Sequence, residues 1–127
     1  MSKALYSAYV LSTPSRERLL GIFPPKYSKL IAHHITVQFG NVTAESIPVK
    51  AEVNVIGYAD SGDGIEALVV SVDGSSARPD GSLYHITWSL QGDYKPVDSN
   101  YIIKKHGFLN LDIPITIDTI PQVVMTK

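Results

Sequence analysis

The chain has 127 residues, 11 Lys and Arg against 12 Asp and Glu, and a formal charge of −1, a balance that excludes charge-driven binding to duplex DNA. It has no cysteine, which excludes a disulfide framework, a thiolate zinc site and a thiol nucleophile. No apolar run is long enough to cross a bilayer, and Met1-Ser2-Lys3 opens without a cleavable signal pattern, so one soluble domain over residues 1–127 is expected, in a cytoplasm and away from membranes.

In chain order, residues 4–11 alternate loosely and predict a first strand. Ser12-Thr13-Pro14 predicts a helix start, with Thr13 as the cap, Pro14 in the first turn and Leu19, Leu20 and Phe23 at helical spacing. Pro24-Pro25 ends that helix, and an extended connection follows. Residues 30–40 predict a strand, 41–46 a polar connection and 49–58 another strand. Asp60-Ser61-Gly62-Asp63-Gly64 is a turn signal that joins it as a hairpin to a strand over 65–72. A loop over 73–81 runs into a strand from Leu83 to Leu90. Asp98, Ser99 and Asn100 offer caps for a second short helix, with Lys104, Lys105 and His106 in its last turn and Gly107 as its stop. Residues 108–125 predict one or two strands, broken at Pro114 and Pro121 and placed at a sheet edge by those prolines.

Within this plan one tripeptide occurs twice. His34-Ile35-Thr36 lies in the third of these segments, and His85-Ile86-Thr87 opens the strand before the second helix. Strand side chains alternate, so His34, Thr36 and Gln38 are expected on one face and Ile35, Val37 and Phe39 on the other. In the second copy His85, Thr87 and Ser89 form the polar row, and Ile86, Trp88 and Leu90 the apolar one. His33 is expected to point away from His34. An imidazole titrates near neutrality and a hydroxyl donates to oxygen, so two such rows in one cleft suit acid-base cleavage of a phosphodiester. A zinc site built from His34, His85 and either His33 or His106 is a competing use of these residues, but no carboxylate flanks either copy. Arg78 is the one cation of the loop before the second copy and a candidate substrate contact. Tyr6, Tyr9, Tyr84 and Trp88 are the aromatic candidates for stacking on a base; Tyr84 and Trp88 fall on the apolar row, and Tyr9 is taken as the substrate contact.

The paired motifs His34-Ile35-Thr36-Val37 and His85-Ile86-Thr87-Trp88 resemble the signature of the two-histidine phosphoesterase superfamily. Its members include RNA 2′,3′-cyclic phosphodiesterases and viral enzymes that degrade 2′-5′ oligoadenylates or cyclic oligonucleotide signals. The stretch from Phe23 through Gly40 is similar to a small phage and bacterial branch of it. The resemblance implies an α+β fold, mainly antiparallel sheet with two short helices, arranged as two lobes about a central groove. It implies a metal-independent phosphodiesterase without a cofactor, acting on a nucleotide or oligonucleotide: a 2′,3′-cyclic end, a 2′-5′ linkage or a cyclic oligonucleotide. His34 and His85 would be the acid-base pair, in an order the motifs leave open, and Thr36 and Thr87 would bind phosphate. The shorter span between the motifs implies trimmed substrate loops. Two other classes remain beside this one: a module of the same fold that sequesters a nucleotide uncleaved, and a structural protein in which the two histidines are buried apart.

Overall fold

The computed structural model describes residues 4–40, 42–43 and 45–125, so the Met1-Ser2-Lys3 start and positions 41 and 44 of the polar connection lie outside the described residues. Eight strands and two helices follow one another as β1 (Ala4–Leu11), α1 (Thr13–Ile22), β2 (Lys29–Leu30), β3 (His34–Phe39), β4 (Val53–Asp60), β5 (Ile65–Val72), β6 (His85–Leu90), α2 (Asp98–His106), β7 (Leu109–Ile117) and β8 (Thr119–Met125). The fold is α+β, mainly antiparallel sheet. Strand order is β7-β4-β5-β6-β3-β1-β8, with β2 paired to β6 beside β3.

At its centre the sheet is covered on both faces, and β5 shows why. Leu68 and Val70 point into one core, with Ile35, Ile86, Trp88, Val53 and Val55, and Leu19 of α1 closes it. Ile65, Ala67 and Val69 point the other way, into a second core that Ile102 and Ile103 of α2 close. A strand buried on both faces reads as a continuous apolar run, and Ile65 to Val70 is interrupted only by Glu66. Glu66 is tolerated there because its carboxylate accepts from the Lys26 backbone N–H at 2.9 Å, from Ser89 Oγ at 2.6 Å and from the Tyr58 hydroxyl. Burial and this neighbouring carboxylate raise the Tyr58 pKa.

Several expectations are corrected in detail. Ser12, not Thr13, caps α1, accepting from the Ser15 N–H at 3.3 Å. Helix α2 has no side-chain cap; Val97 precedes it in helical conformation, while Gly107 does end it at φ 72°. The fourth strand starts later, at Val53. Neither Pro114 nor Pro121 breaks a strand: β7 and β8 run through them as the two outer strands, where a missing N–H costs no ladder bond.

Two β-bulges matter for the site. Between β1 and β3, Ser7 pairs with Gln38 but Ala8 with Thr36, so Val37 is an extra residue and alternation inverts beyond it. Between β5 and β6, Glu66 pairs with Ser89 but Ala67 with Thr87, so Trp88 is extra. Gln38 therefore leaves the polar row and Phe39 joins the site face. Ser89 likewise turns from Thr87 toward Glu66, where it also accepts from the Tyr27 N–H at 3.1 Å.

Candidate active site

The two His-Ile-Thr strands lie side by side and antiparallel. Ile35 pairs with Ile86, so His34 comes opposite Thr87 and Thr36 opposite His85. The two isoleucines are fully buried in the first core and make the floor. On the other face both histidines and both threonines line one cavity of about 310 Å³, together with Tyr6, Phe39, Arg78, Pro96, Val97 and Asn100 among others.

Each imidazole is held at one nitrogen. His85 Nδ1 lies 3.0 Å from the Leu83 carbonyl oxygen. A carbonyl only accepts, so Nδ1 carries the proton and Nε2 is the free nitrogen. His34 Nδ1 lies 3.0 Å from Nδ1 of His33, and its ring stacks on Tyr6 with centroids 5.0 Å apart. Burial, then the neighbouring His33 and His85, lower His34 to a pKa of about 4. Burial also lowers His85; the Leu83 carbonyl and Asp80 oppose that shift and Arg78 adds to it.

The two hydroxyls differ. Thr36 makes no hydrogen bond among the described residues, so its O–H is open to a ligand. Thr87 is 7% exposed; its Oγ1 donates to the Pro96 carbonyl at 3.1 Å and lies 2.8 Å from Ser99 Oγ, which ties the first turn of α2 over β6. A hydroxyl has one proton to give, so Thr87 donates to a phosphate only by releasing Pro96.

Arg78 supplies the positive charge. It is 8% exposed, and its Nη2 donates to Asp80 Oδ2 at 2.6 Å, while its buried Nε has no partner. Hydrogen bonding from Ser82, with Arg78 contributing, holds Asp80 at about 2, so this carboxylate stays ionised and fixes the guanidinium. A buried N–H without an acceptor is costly, and the Arg78 side chain brings a positive charge to the cavity lining.

Tyr9 is not in the cavity, which corrects its expected role. It is buried in the first core, and its hydroxyl donates to the Val49 carbonyl at 2.6 Å. The reason is parity: on β1, Ala8 and Val10 pair with Thr36 and His34 and share their face, and Tyr9 goes with Leu11 to the other. Tyr6 is the tyrosine of the site. Trp88 and Tyr84 are core residues, and the Trp88 Nε1–H donates to the Phe23 carbonyl at 2.8 Å.

His33 is also not where alternation puts it. Ala32 adopts a left-handed φ of 42°, and its N–H bonds to the Thr87 and Trp88 carbonyls of β6. The chain turns there, so β3 starts at His34 and His33 stays exposed beside it. Phe39, Val97 and Asn100 are further cavity residues that the sequence reading did not single out. The alternation inverted by the Val37 bulge exposes Phe39 at 69%, and Val97, at 68%, precedes α2. A signal existed for Tyr6 alone, since it is out of phase with the core residue Leu11. Among the described residues no three His, Asp or Glu side chains are placed to hold a metal, and His106 ends α2, outside the cavity lining. No helix among them is long and apolar enough to cross a membrane.

Comparison of the chain with family models, with curated proteins and with solved structures finds no match.

Proposed function

We propose that the protein is a metal-independent phosphodiesterase acting on an RNA-type phosphate: a 2′,3′-cyclic end, a 2′-5′ linkage or a cyclic oligonucleotide. One observation carries this reading. Two His-Thr pairs converge on one cavity that Arg78 also lines. Titratable nitrogens, a free hydroxyl and a cation suit a phosphate diester, which needs a proton taken, a proton given and negative charge stabilised.

In this mechanism Arg78 and Thr36 hold the non-bridging oxygens. His34 is the base, because burial keeps it neutral; it takes the proton of the attacking water or ribose hydroxyl. His85 is the acid, because its Nδ1–H is anchored on Leu83 and its Nε2 can carry a proton to the leaving oxygen. A bound phosphate attracts that proton, offsetting the burial that lowers His85 in the free protein. The optimum of kcat/KM therefore falls on the acid side of neutrality, below the neutral optimum that unperturbed histidines would give. The exposed ring of Phe39 and the apolar Val97 form a wall for a nucleobase, and Asn100 offers it a donor and an acceptor.

The test is hydrolysis of nucleoside 2′,3′-cyclic monophosphates, 2′-5′ and 3′-5′ oligonucleotides and cyclic di- and trinucleotides in excess chelator. One class is cleaved, and His34→Ala or His85→Ala slows it by at least about 10²-fold. Tight binding of a panel member without cleavage would instead support a sequestering module, the reading favoured by a Thr87 proton already committed to Pro96. Neither cleavage nor binding would overturn both.

A further inference from the structure

The contact between His33 and His34 is unusual in that the same nitrogen of each ring faces the other, Nδ1 to Nδ1, at 3.0 Å. Two lone pairs cannot meet at that distance without repulsion, and two N–H groups cannot either, so the contact requires one shared proton. A neutral dyad has two ways to provide it. With the proton on His34 Nδ1, His34 Nε2 is a bare lone pair. With the proton on His33 Nδ1, His34 must carry its own on Nε2.

We propose that His33 is a positioning residue that selects the tautomer of His34, and that protonation of His33 converts His34 Nε2 from an acceptor into a donor while His34 itself stays neutral. An imidazolium has N–H groups at both nitrogens, so a charged His33 donates to His34 Nδ1 and leaves His34 only the Nε2–H form. The surroundings disfavour a charge on His34. His33 stands in solvent, where its charge is hydrated; His34 is half-buried, stacked on Tyr6 of β1 and faced by His85 of β6. Arg16 of α1 brings a fixed cation beside the preceding residue, its Nε donating to the Ala32 carbonyl at 2.8 Å. Neither imidazole is ion-paired to a carboxylate among the described residues.

The consequence for catalysis rests on the phosphodiesterase reading: a base whose lone pair is capped cannot take a proton, so the acid limb of the rate profile belongs to His33. The tautomer exchange does not rest on it. The experiment is a long-range 1H–15N NMR titration of the full chain and of His33→Asn, which keeps a hydrogen-bonding atom near the Nδ1 position but does not titrate. In the unsubstituted protein His34 is expected as the Nδ1–H tautomer at high pH, switching to Nε2–H as His33 is protonated, before His34 gains a charge. In His33→Asn the Nδ1–H tautomer persists until His34 itself is protonated. A His34 tautomer that ignores His33 protonation, or behaves the same in both proteins, overturns the proposal. With a cleaved substrate in hand, His33→Asn shifts the acid limb of the rate profile to lower pH. An unmoved acid limb would overturn the catalytic consequence. If no panel member is cleaved, the function reading fails, and the NMR titration still decides the dyad.

Discussion

Strand β6 has two edges, and its partners treat them differently. Toward β5 it is paired from Ile65–Leu90 to Val69–His85, with apolar residues packed on both faces. On the other edge β2 pairs with Leu90 and Ser89, and the ladder to β3 has the single rung Ile35–Ile86, which the chain reaches through a left-handed turn at Ala32. The first side is a core and the second is a seam. The same strand carries a packed core along one edge and a polar cavity along the other, because a short ladder brings two polar rows together without closing the space above them.

The comparison can be broken by mutations that separate the two roles. The largest expected effect is on the core side. Trp88→Ala removes the largest fully buried side chain and its bond to Phe23, and should cost about 3–5 kcal/mol in denaturant unfolding. The folded fraction should keep its activity, since Trp88 does not line the cavity. On the seam side, Arg78→Gln removes the charge that would bind phosphate. At about 1.5–3 kcal/mol for a charge-assisted hydrogen bond, nucleotide affinity measured by calorimetry should fall by roughly 10-fold to 10²-fold.

A smaller effect sharpens the contrast through pH. His34 and His85 both resist protonation in the native state, His34 down to about 4, whereas in an unfolded chain they titrate near the ordinary histidine value. As pH falls below that value the unfolded chain gains protons that the native site refuses, so stability present above it is lost progressively toward pH 4. Replacing His34 by Gln should flatten this loss, read as a smaller difference between urea midpoints at pH 7 and pH 4.5. An unchanged difference would mean that the seam does not desolvate His34 as described.

How much of this the residues announced depends on whether the information is local. Period-two alternation marks β3 and β6 and separates His34 and Thr36 from Ile35, and the Asp60–Gly64 turn marks the β4–β5 hairpin, because each depends only on neighbours in sequence. The bulges at Val37 and Trp88 do not: an extra residue is defined by the partner strand, so alternation gives the wrong face for Gln38, Phe39 and Ser89, and for Leu90, which packs in the second core rather than with Ile86 and Trp88. Tyr9 was exchanged for Tyr6 because strand parity on β1 is fixed only by pairing with β3. Asn100 and Val97 reach the cavity through packing of α2 over β6, and the helical pattern of residues 98–106 carries no sign of it. His33 was assigned to the far face because the left-handed turn at Ala32, a residue type that rarely adopts it, is imposed by bonds to Thr87 and Trp88.

The central claim is that His34 and His85 act as one proton-sharing pair across the Ile35–Ile86 rung. Single-turnover cleavage by His34→Ala, His85→Ala and the double variant tests it most directly. Groups that work as a unit are not additive, so the double variant should be no more than a few-fold slower than the slower single one. Losses that multiply, or a single variant that cleaves at the unsubstituted rate, would contradict the account.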